Sequence, residues 1–490
     1  MNKNFDVAIV GAGPAGLYCA YRLIAENKDL KIAVFEQGRE IDSRKCPAIK
    51  QNKSCLHCSN CAIMSGIAGA GAFSDGKFPI TNDFGGFLWE KCGKGEALAF
   101  MHQVDNLNRD FFYKHSSGSP YEWPDLYSTY GSSYKKICTQ HNLHLLDAEI
   151  RHLGTDISQF IFRHLYQYLK DQGVVFTTNT HVDKIKRIEN TVNVDSLSDR
   201  KYHWEINCSF NDSDINASFN ASYVVVAAGR SGSKWVESLC EDLDIPTHSN
   251  RVDIGIRFEC PNEIWNHITE KLYEAKIVYK TKTYEDEVRT FCMNPSGYVV
   301  TEHTKSGITV NGHSFEAKDK KSNNTNFALL VSKTLTEPFD NSNEYGEAII
   351  KLSNMLGGGV IVQRYGDLIR GRRSTKDHIA HNSVTPTLNA EPGDLSLVLP
   401  KRILDDIMEM IEKLDHLVPG MVNDDNLLYG VECKFYNMTV ESKNNCEALD
   451  YPGLYFAGDG AGYTHSLSQA AANGLYVAED ILSRINPNLL

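Results

Sequence analysis

The sequence predicts an α/β chain: a Rossmann-like domain interrupted by an inserted α+β substrate domain. Three stretches far apart predict it. The first is a strand, a glycine-rich turn and a helix at the start of the chain: Phe5–Val10, then Gly11-x-Gly13-x-x-Gly16, then a small-residue run from Pro14 to about Glu26. The second is Tyr223-Val-Val-Val-Ala-Ala-Gly229, a strand that ends in small residues. The third is Gly453-Leu-Tyr-Phe-Ala-Gly-Asp459-Gly-Ala-Gly462, followed by a helical run from about Ser466 to Ile481.

Each element has a physical reason. Gly11 permits the tight turn, Gly13 lets a phosphate approach the backbone, and Gly16 lets helix and strand pack closely. The helix N-terminus offers N–H groups to a pyrophosphate. A second strand, Lys31–Phe35, ends at Glu36, where an acid can accept ribose hydroxyls. Residues 39–95 are glycine- and cysteine-rich with little periodicity, and an irregular stretch of that length between cofactor elements reads as functional. Helices are expected near Gly95–Tyr113 and Asp156–Asp171, while His141–Ile150 mixes strand and loop signals. Short strands at Val174–Thr178, Val182–Ile188, Tyr202–Ser209 and Ile215–Phe219 lead into Tyr223–Ala228, which suits a parallel sheet with a small antiparallel layer. The middle changes texture: Asp253–Glu259, Ala275–Tyr284, Glu287–Asn294, Tyr298–Thr301 and Phe327–Thr334 read as the sheet of a substrate domain, with helices at Asn341–Leu356 and Pro400–Leu417. The expected division is a discontinuous cofactor domain, 1–240 plus 435–490 with the cysteine-rich loop 39–95, and a substrate or cap domain, 241–434.

With 490 residues the chain can bury two cores. Its formal charge of −12 and the lack of a basic block argue against nucleic acid as a partner. No apolar run reaches the ~18–20 residues of a membrane span. The first residues belong to a strand the cofactor turn needs, unlike a signal peptide, so a cytoplasmic location is expected. Thirteen cysteines, four of them between Cys46 and Cys61, do not read as a disulfide scaffold.

The Gly-Asp strand–turn–helix near the far end resembles that of FAD enzymes of the glutathione-reductase type. Longer runs extend the likeness: Cys46-Pro, the Cys55–Cys61 cluster, Gly69-Ala-Gly-Ala-Phe-Ser-Asp75-Gly-Lys77, Asn294-Pro-Ser-Gly297, Gln363-Arg364-Tyr-Gly-Asp367 and Gly458-Asp459-Gly-Ala-Gly462-Tyr. On these the chain resembles the cysteine-bearing members of an uncharacterised FAD-dependent dehydrogenase family, distantly similar to geranylgeranyl reductases. The resemblance implies FAD held by Gly11, Gly13, Pro14, Ala15, Gly16, Glu36, Gln37 and Arg39 at one end. Ala70, Gly71 and Ser74 would come from the loop, Val182, Ala228 and Gly229 from the sheet, and Gly458, Asp459 and Gly462 from the late turn. It places Gly69–Lys77 near the isoalloxazine ring, where Lys77 would offer charge to the reduced flavin. His465, at the start of the last helix, would donate a proton to substrate. The plainer readings are a solvated Asp75–Lys77 loop and a capping histidine.

The implied activity is a FAD-dependent oxidoreductase, a dehydrogenase or reductase passing hydride between flavin and a small organic substrate. An external NAD(P)H or a ferredoxin-like protein would be the electron donor. A flavin-dependent monooxygenase is the enzymatic alternative, and a non-enzymatic or RNA-modifying flavoprotein scaffold is an alternative of another class. Three readings of Cys46, Cys55, Cys58 and Cys61 stand open. The two C-x2-C steps resemble three ligands of a [4Fe–4S] site, with Cys46, His57 or Cys92 completing it. Four thiolates would also suit structural zinc. Free or redox-active thiols are the third reading. The stretch Arg364, Asp367, Arg370, Arg372 and Arg373 would bind an acidic substrate group or make ordinary ion pairs.

Overall fold

The computed structural model of the chain describes residues 3–51, 55, 56, 58, 60–118, 120–188, 203–210, 213–272, 274–304, 306–314 and 320–486. They fall into two compact units. One comprises Met1–Leu126, Glu149–His248 and Asn437–Leu490, the other Tyr127–Ala148 and Ser249–Tyr436.

The first unit is built on a seven-stranded sheet. Its order is Val175–Thr177, Ile32–Phe35, Asn4–Val10, Ser213–Val226, Trp204–Phe210, Thr180–Arg187, with Leu454–Phe456 also paired to Ser213–Val226. Asn4–Val10 runs parallel to both neighbours, and Leu454–Phe456 runs parallel to Ser213–Val226. Trp204–Phe210 and Thr180–Arg187 add the antiparallel layer. Parallel strands covered on both faces must be apolar throughout, and Phe5 to Val10 are buried without a break. The covering helices include Pro14–Glu26, Lys94–His115, Gly154–Asp171 and Leu467–Ile485. Small residues bring the first and last of these together: a Cβ on Gly474 would lie 2.1 Å from the Ala15 carbonyl oxygen.

The second unit is organised by an eight-stranded sheet with Val252–Pro261 at its centre, between Leu427–Phe435 and Asn324–Lys333. Strand alternation sorts its residues. Ile254, Ile256, Phe258 and Cys260 enter one apolar core with the helices Asn262–Leu272 and Lys401–Asp415, while Asp253, Arg257 and Glu259 belong to the other face. The segment 127–148 joins this unit because Leu143–Leu145 pairs with Ile277–Lys280. Among the described residues no helix is long and apolar enough to cross a membrane. The chain thus has an α/β Rossmann-like unit with an inserted, mainly antiparallel sheet domain.

Candidate cofactor site

The glycines of the first turn do unlike work. Gly11 has φ 103, and a Cβ there would lie 2.5 Å from the Ala227 carbonyl oxygen. A Cβ on Gly16 would lie 2.1 Å from the Gly11 carbonyl oxygen. Both are glycine because the backbone leaves no space. Gly13 is different, because a Cβ there meets no atom within 4 Å. The helix Pro14–Glu26 that follows has Gly13 as N-cap and no side-chain cap, and its first turn carries no acid. Open space beside an uncapped helix N-terminus is what a phosphate needs.

Three further segments close around this point. From the loop, Ala68 donates its N–H to the Ala12 carbonyl at 2.8 Å. A Cβ on Gly69 would sit 3.1 Å from Gly13 Cα, and one on Gly71 would sit 3.4 Å from Pro14 Cγ. Ala70 lies between them in the short turn Gly69–Phe73, which Ser74 closes by donating its hydroxyl to the Gly71 carbonyl at 2.9 Å. From the late turn, a Cβ on Gly458 would lie 2.9 Å from Ala15 Cβ, and one on Gly460 would lie 2.0 Å from the Ala228 carbonyl oxygen. Ala228 and Gly229 follow the strand Ser213–Val226, beside Gly11. The stretches that are farthest apart in sequence therefore meet at the N-terminus of one helix.

Two carboxylates fix the ends of the cradle. Glu36 is 6% exposed, and its carboxylate accepts N–H bonds from Ala12, Gly38 and Gly66 at 2.8, 2.8 and 2.9 Å. A carboxylate has about four acceptor positions. Room for roughly one more donor remains, so Glu36 first ties the glycine turn to the cysteine loop. Thr180, at the start of the strand that carries buried Val182, donates its N–H to the Glu36 carbonyl at 2.9 Å. Gln37 donates to the Ser65 hydroxyl at 3.1 Å, while Arg39 is exposed and its carbonyl accepts from the Ile67 N–H at 3.0 Å.

At the other end, Asp459 accepts from the Thr464 hydroxyl at 2.7 Å and lies 3.3 Å from Arg230 Nε. Burial raises the pKa of this carboxyl, while Arg230 and Thr464 act to lower it. The Asn473 side chain accepts from the Gly458 N–H at 2.7 Å, Asn437 donates to the Asp459 carbonyl at 2.8 Å, and Gly462 ends the turn at φ 79. Thr464 is legible in the sequence as a polar residue directly after the Gly-Asp turn, whereas Arg230, Asn437 and Asn473 were not singled out. Asn473 lies in the helix Leu467–Ile485 that follows the turn, which is a usable signal; Arg230 and Asn437 have none.

Lys77 opens the strand Lys77–Ile80 and pairs with Asp75 at 3.2 Å. His465 lies between the Gly-Asp turn and the last helix; its N–H bonds the Gly85 carbonyl at 2.9 Å and its ring sits edge-on to Phe87 at 5.7 Å. The Arg364–Arg373 stretch is committed to partners within the second unit: Arg364 to Asp425, Arg370 to Asp424, and Arg372 to buried Asp367.

The metal reading of Cys46, Cys55, Cys58 and Cys61 gains no support among the described residues. Among the described residues no group of three or more potential ligands is gathered, and all thirteen cysteines are free. Cys46 caps the short helix Pro47–Lys50, Cys55 and Cys58 are exposed, and Cys61 is half-buried at the start of a turn. His57 lies outside the described residues. Arg44 binds the stretch that follows the cysteine cluster. Its guanidinium donates to the carbonyls of Ala62, Ile63, Ile67 and Gly69 at 2.6–3.0 Å and stacks 4.5 Å over the Phe73 ring. Burial lowers its pKa to about 10, against the opposing pull of Glu36 and Cys61.

On the second unit's sheet, the face opposite the apolar core holds charge. Arg257 pairs with Glu432 at 2.8 Å, both fully buried, and also donates to Asn326 at 2.8 Å. Glu259 accepts from Tyr429, Thr387 and Asn324, yet burial still raises its pKa.

Fold and site define a class: a Rossmann-like α/β fold with a glycine-turn cradle at a helix N-terminus and an inserted, mainly antiparallel sheet domain. Comparison with known proteins adds particulars. Residues 252–435 match the family described as FAD-dependent protein, C-terminal domain-like, and residues 2–41 match the Thi4 family. A protein of Clostridium beijerinckii described only as uncharacterized is 27% identical over 499 residues, covering 98% of this chain and 81% of that one. Among solved structures, aklavinone-11 hydroxylase in complex with FAD and aklavinone is 12% identical with a TM-score of 0.42, covering 99% of this chain. This chain spans 64% of that hydroxylase's length. Glycine oxidase from Geobacillus kaustophilus is 12% identical with a TM-score of 0.38, covering 99% of this chain and 95% of that one.

Proposed function

We propose that this chain is an FAD-dependent oxidoreductase that moves a hydride between the flavin and a small organic substrate. The observation that carries the reading is Gly13, the one glycine of the motif whose missing side chain leaves open space, set at an uncapped helix N-terminus and walled by the Gly69–Gly71 and Gly458–Asp459 turns. The match of residues 252–435 to an FAD-dependent protein family supports the choice of dinucleotide.

The first-turn N–H groups of the helix Pro14–Glu26 would hold the pyrophosphate, the remaining acceptor of Glu36 a ribose hydroxyl, and Asp459 the ribityl side. FAD would supply the hydride-transfer chemistry that no side chain of the chain can perform. The chain's own part is to bind, orient and exclude water. Lys77, paired with Asp75, is assigned to balance negative charge near the ring, and His465 to hand a proton to substrate. Among the described residues the second unit has no second glycine-turn βαβ, since its central pairings are antiparallel. A nicotinamide or protein donor would therefore act from solution.

The test begins with flavin release. Purified protein should be yellow and free about one FAD per chain on denaturation; colourless, flavin-free but folded protein sinks the reading. Anaerobically reduced protein is then mixed with oxygen. Slow reoxidation, quick only with an organic acceptor, fits hydride transfer. A long-lived oxygen adduct band moves the assignment to a monooxygenase and leaves the oxidoreductase class intact.

A further inference from the structure

The run Gln363-Arg364-Tyr-Gly-Asp367 takes no part in the cofactor cradle; it belongs to the second unit. Asp367 is fully buried in the short helix Tyr365–Ile369, and its carboxylate gathers three donors. Arg372 Nε reaches Oδ1 at 2.8 Å, while the Ser374 hydroxyl and His378 Nδ1 reach Oδ2 at 2.8 and 2.9 Å. Burial would raise the pKa of this carboxyl, but the donors outweigh burial and the net shift is downward, so the group is ionised. An ionised carboxylate only accepts hydrogen bonds. The proton of a neutral His378 ring therefore sits on Nδ1, and Nε2 carries the lone pair.

Backbone bonds hold both side chains in place. The Arg372 N–H donates to the Asp367 carbonyl at 3.0 Å, and the Arg372 carbonyl accepts from buried Gln363 at 2.8 Å. The His378 N–H donates to the Thr375 hydroxyl at 3.2 Å. Neither side chain is used up. Arg372 is 53% exposed, His378 is 30% exposed, and among the described residues only Nε of the one and Nδ1 of the other are engaged. The neighbouring acids serve other cations: Asp424 pairs with Arg370, Asp425 with Arg364 and Asp377 with His381. Arg373 bonds only the carbonyls of Ser374 and Pro392, at 3.4 and 3.2 Å. One acid, Asp367, is thus shared by Arg372, His378 and, at 3.9 Å, Arg364, and the charge left over is positive.

A carboxylate ligand would suit the guanidinium but offers no proton to the Nε2 lone pair. A phosphate group offers both: with a second pKa of about 6 it keeps an O–H on a fraction of molecules at neutral pH and negative oxygens on all. We propose that Arg372 and His378, positioned by Asp367, form a phosphate-binding site in the second unit. The Nη groups of Arg372 donate to phosphate oxygens, and His378 Nε2 accepts the phosphate O–H. If that proton crosses, the phosphate becomes a dianion and the imidazolium is stabilised by Asp367. The site stands on the second unit alone and is independent of the FAD reading.

The full-length protein is titrated with inorganic phosphate, phenyl phosphate and benzoate by calorimetry at constant ionic strength. Saturable phosphate binding is expected, with benzoate at least tenfold weaker. Tighter phenyl phosphate identifies a phosphorylated small molecule as the source, and tighter inorganic phosphate the free ion. Arg372→Gln and His378→Gln should each weaken phosphate binding at least tenfold, whereas Arg370→Gln, whose partner is Asp424, should leave it unchanged. Nitrogen NMR of histidine-labelled protein reads the site without any change of fold. At pH 8 the His378 ring should be the Nδ1–H tautomer, and its Nε2 signal should move when phosphate is added. No saturable binding, equal loss in all three variants, or an Nε2–H tautomer overturns the proposal. Phosphate binding that survives Arg372→Gln and His378→Gln belongs to another place, the Gly13 turn included, and overturns it as well.

Discussion

Gly13 and Gly16 stand three positions apart in one motif, and a side chain would have opposite consequences at the two. Gly16→Ala forces a methyl to 2.1 Å from a backbone oxygen, so we expect loss of at least ~3 kcal/mol or failure to fold, read by thermal unfolding. Gly13→Asp meets open space and supplies an N-cap, which should leave apoprotein stability unchanged or raise it by a few tenths of a kcal/mol. The same carboxylate would occupy the phosphate position with the wrong charge, so FAD binding should vanish. A Gly13→Asp variant that folds and still takes up FAD at ordinary affinity removes the pyrophosphate assignment. At the end proposed for the ribityl chain, Asp459→Ala deletes a carboxyl acceptor held by Thr464 and Arg230. Titrating apoprotein with FAD should show affinity roughly ten- to a hundredfold weaker. Unchanged affinity would remove Asp459 from the site. Sequence made Gly13 and Asp459 legible because backbone approach and turn acidity demand particular residue types at fixed spacing. Arg44 was illegible: it works through carbonyl groups, which every residue has, so no partner pattern marks it.

The last helix, Leu467–Ile485, shows how an element can be foreseen while its anchoring is not. Its small-residue run after the Gly-Asp turn announces a buried helix. Nothing local announces Glu447, which is 2% exposed and binds Arg484, Lys443 and the Gly453 N–H, fastening the helix end to the turn before Leu454–Phe456. Burial would raise this carboxyl's pKa, but Arg484, Lys443 and the Gly453 N–H outweigh it and the net shift is downward. A carboxyl depressed in the folded state contributes stability above its unfolded pKa, and that contribution fades as pH falls through the folded value. Glu447→Gln should therefore cost about 3 kcal/mol at pH 7, and the gap to wild type should narrow below about pH 4. Denaturant unfolding at both pH values checks this; a gap independent of pH would assign the loss to packing. The mixed signals at 141–150 have a similar cause. Leu143–Leu145 is a strand only because Ile277–Lys280, more than a hundred residues on, pairs with it.

At the scale of the molecule, each unit closes its own apolar core, and the cradle lies wholly in the first. Calorimetry should resolve two transitions, with FAD raising only one, by about 2.7 kcal/mol at a ligand concentration 100 times the dissociation constant. A single transition displaced as a whole would show the units to be one cooperative body. The alternation of fold types along the chain was readable from periodicity, since buried parallel strands and half-buried antiparallel strands differ in pattern. The assignment of 127–148 to the second unit was not, because long-range pairing leaves no local trace. The packing of Gly474 against Ala15 has a consequence for how the protein is made. Translation proceeds at about 5–20 residues per second, so roughly 20 to 90 seconds separate the emergence of the two helices from the ribosome. During that interval the first βαβ must wait with an apolar flank uncovered, while the inserted sheet domain has all of its strands and can fold. The nascent chain thus completes its middle before its beginning, and a chaperone that shields the first helix would matter most in that interval.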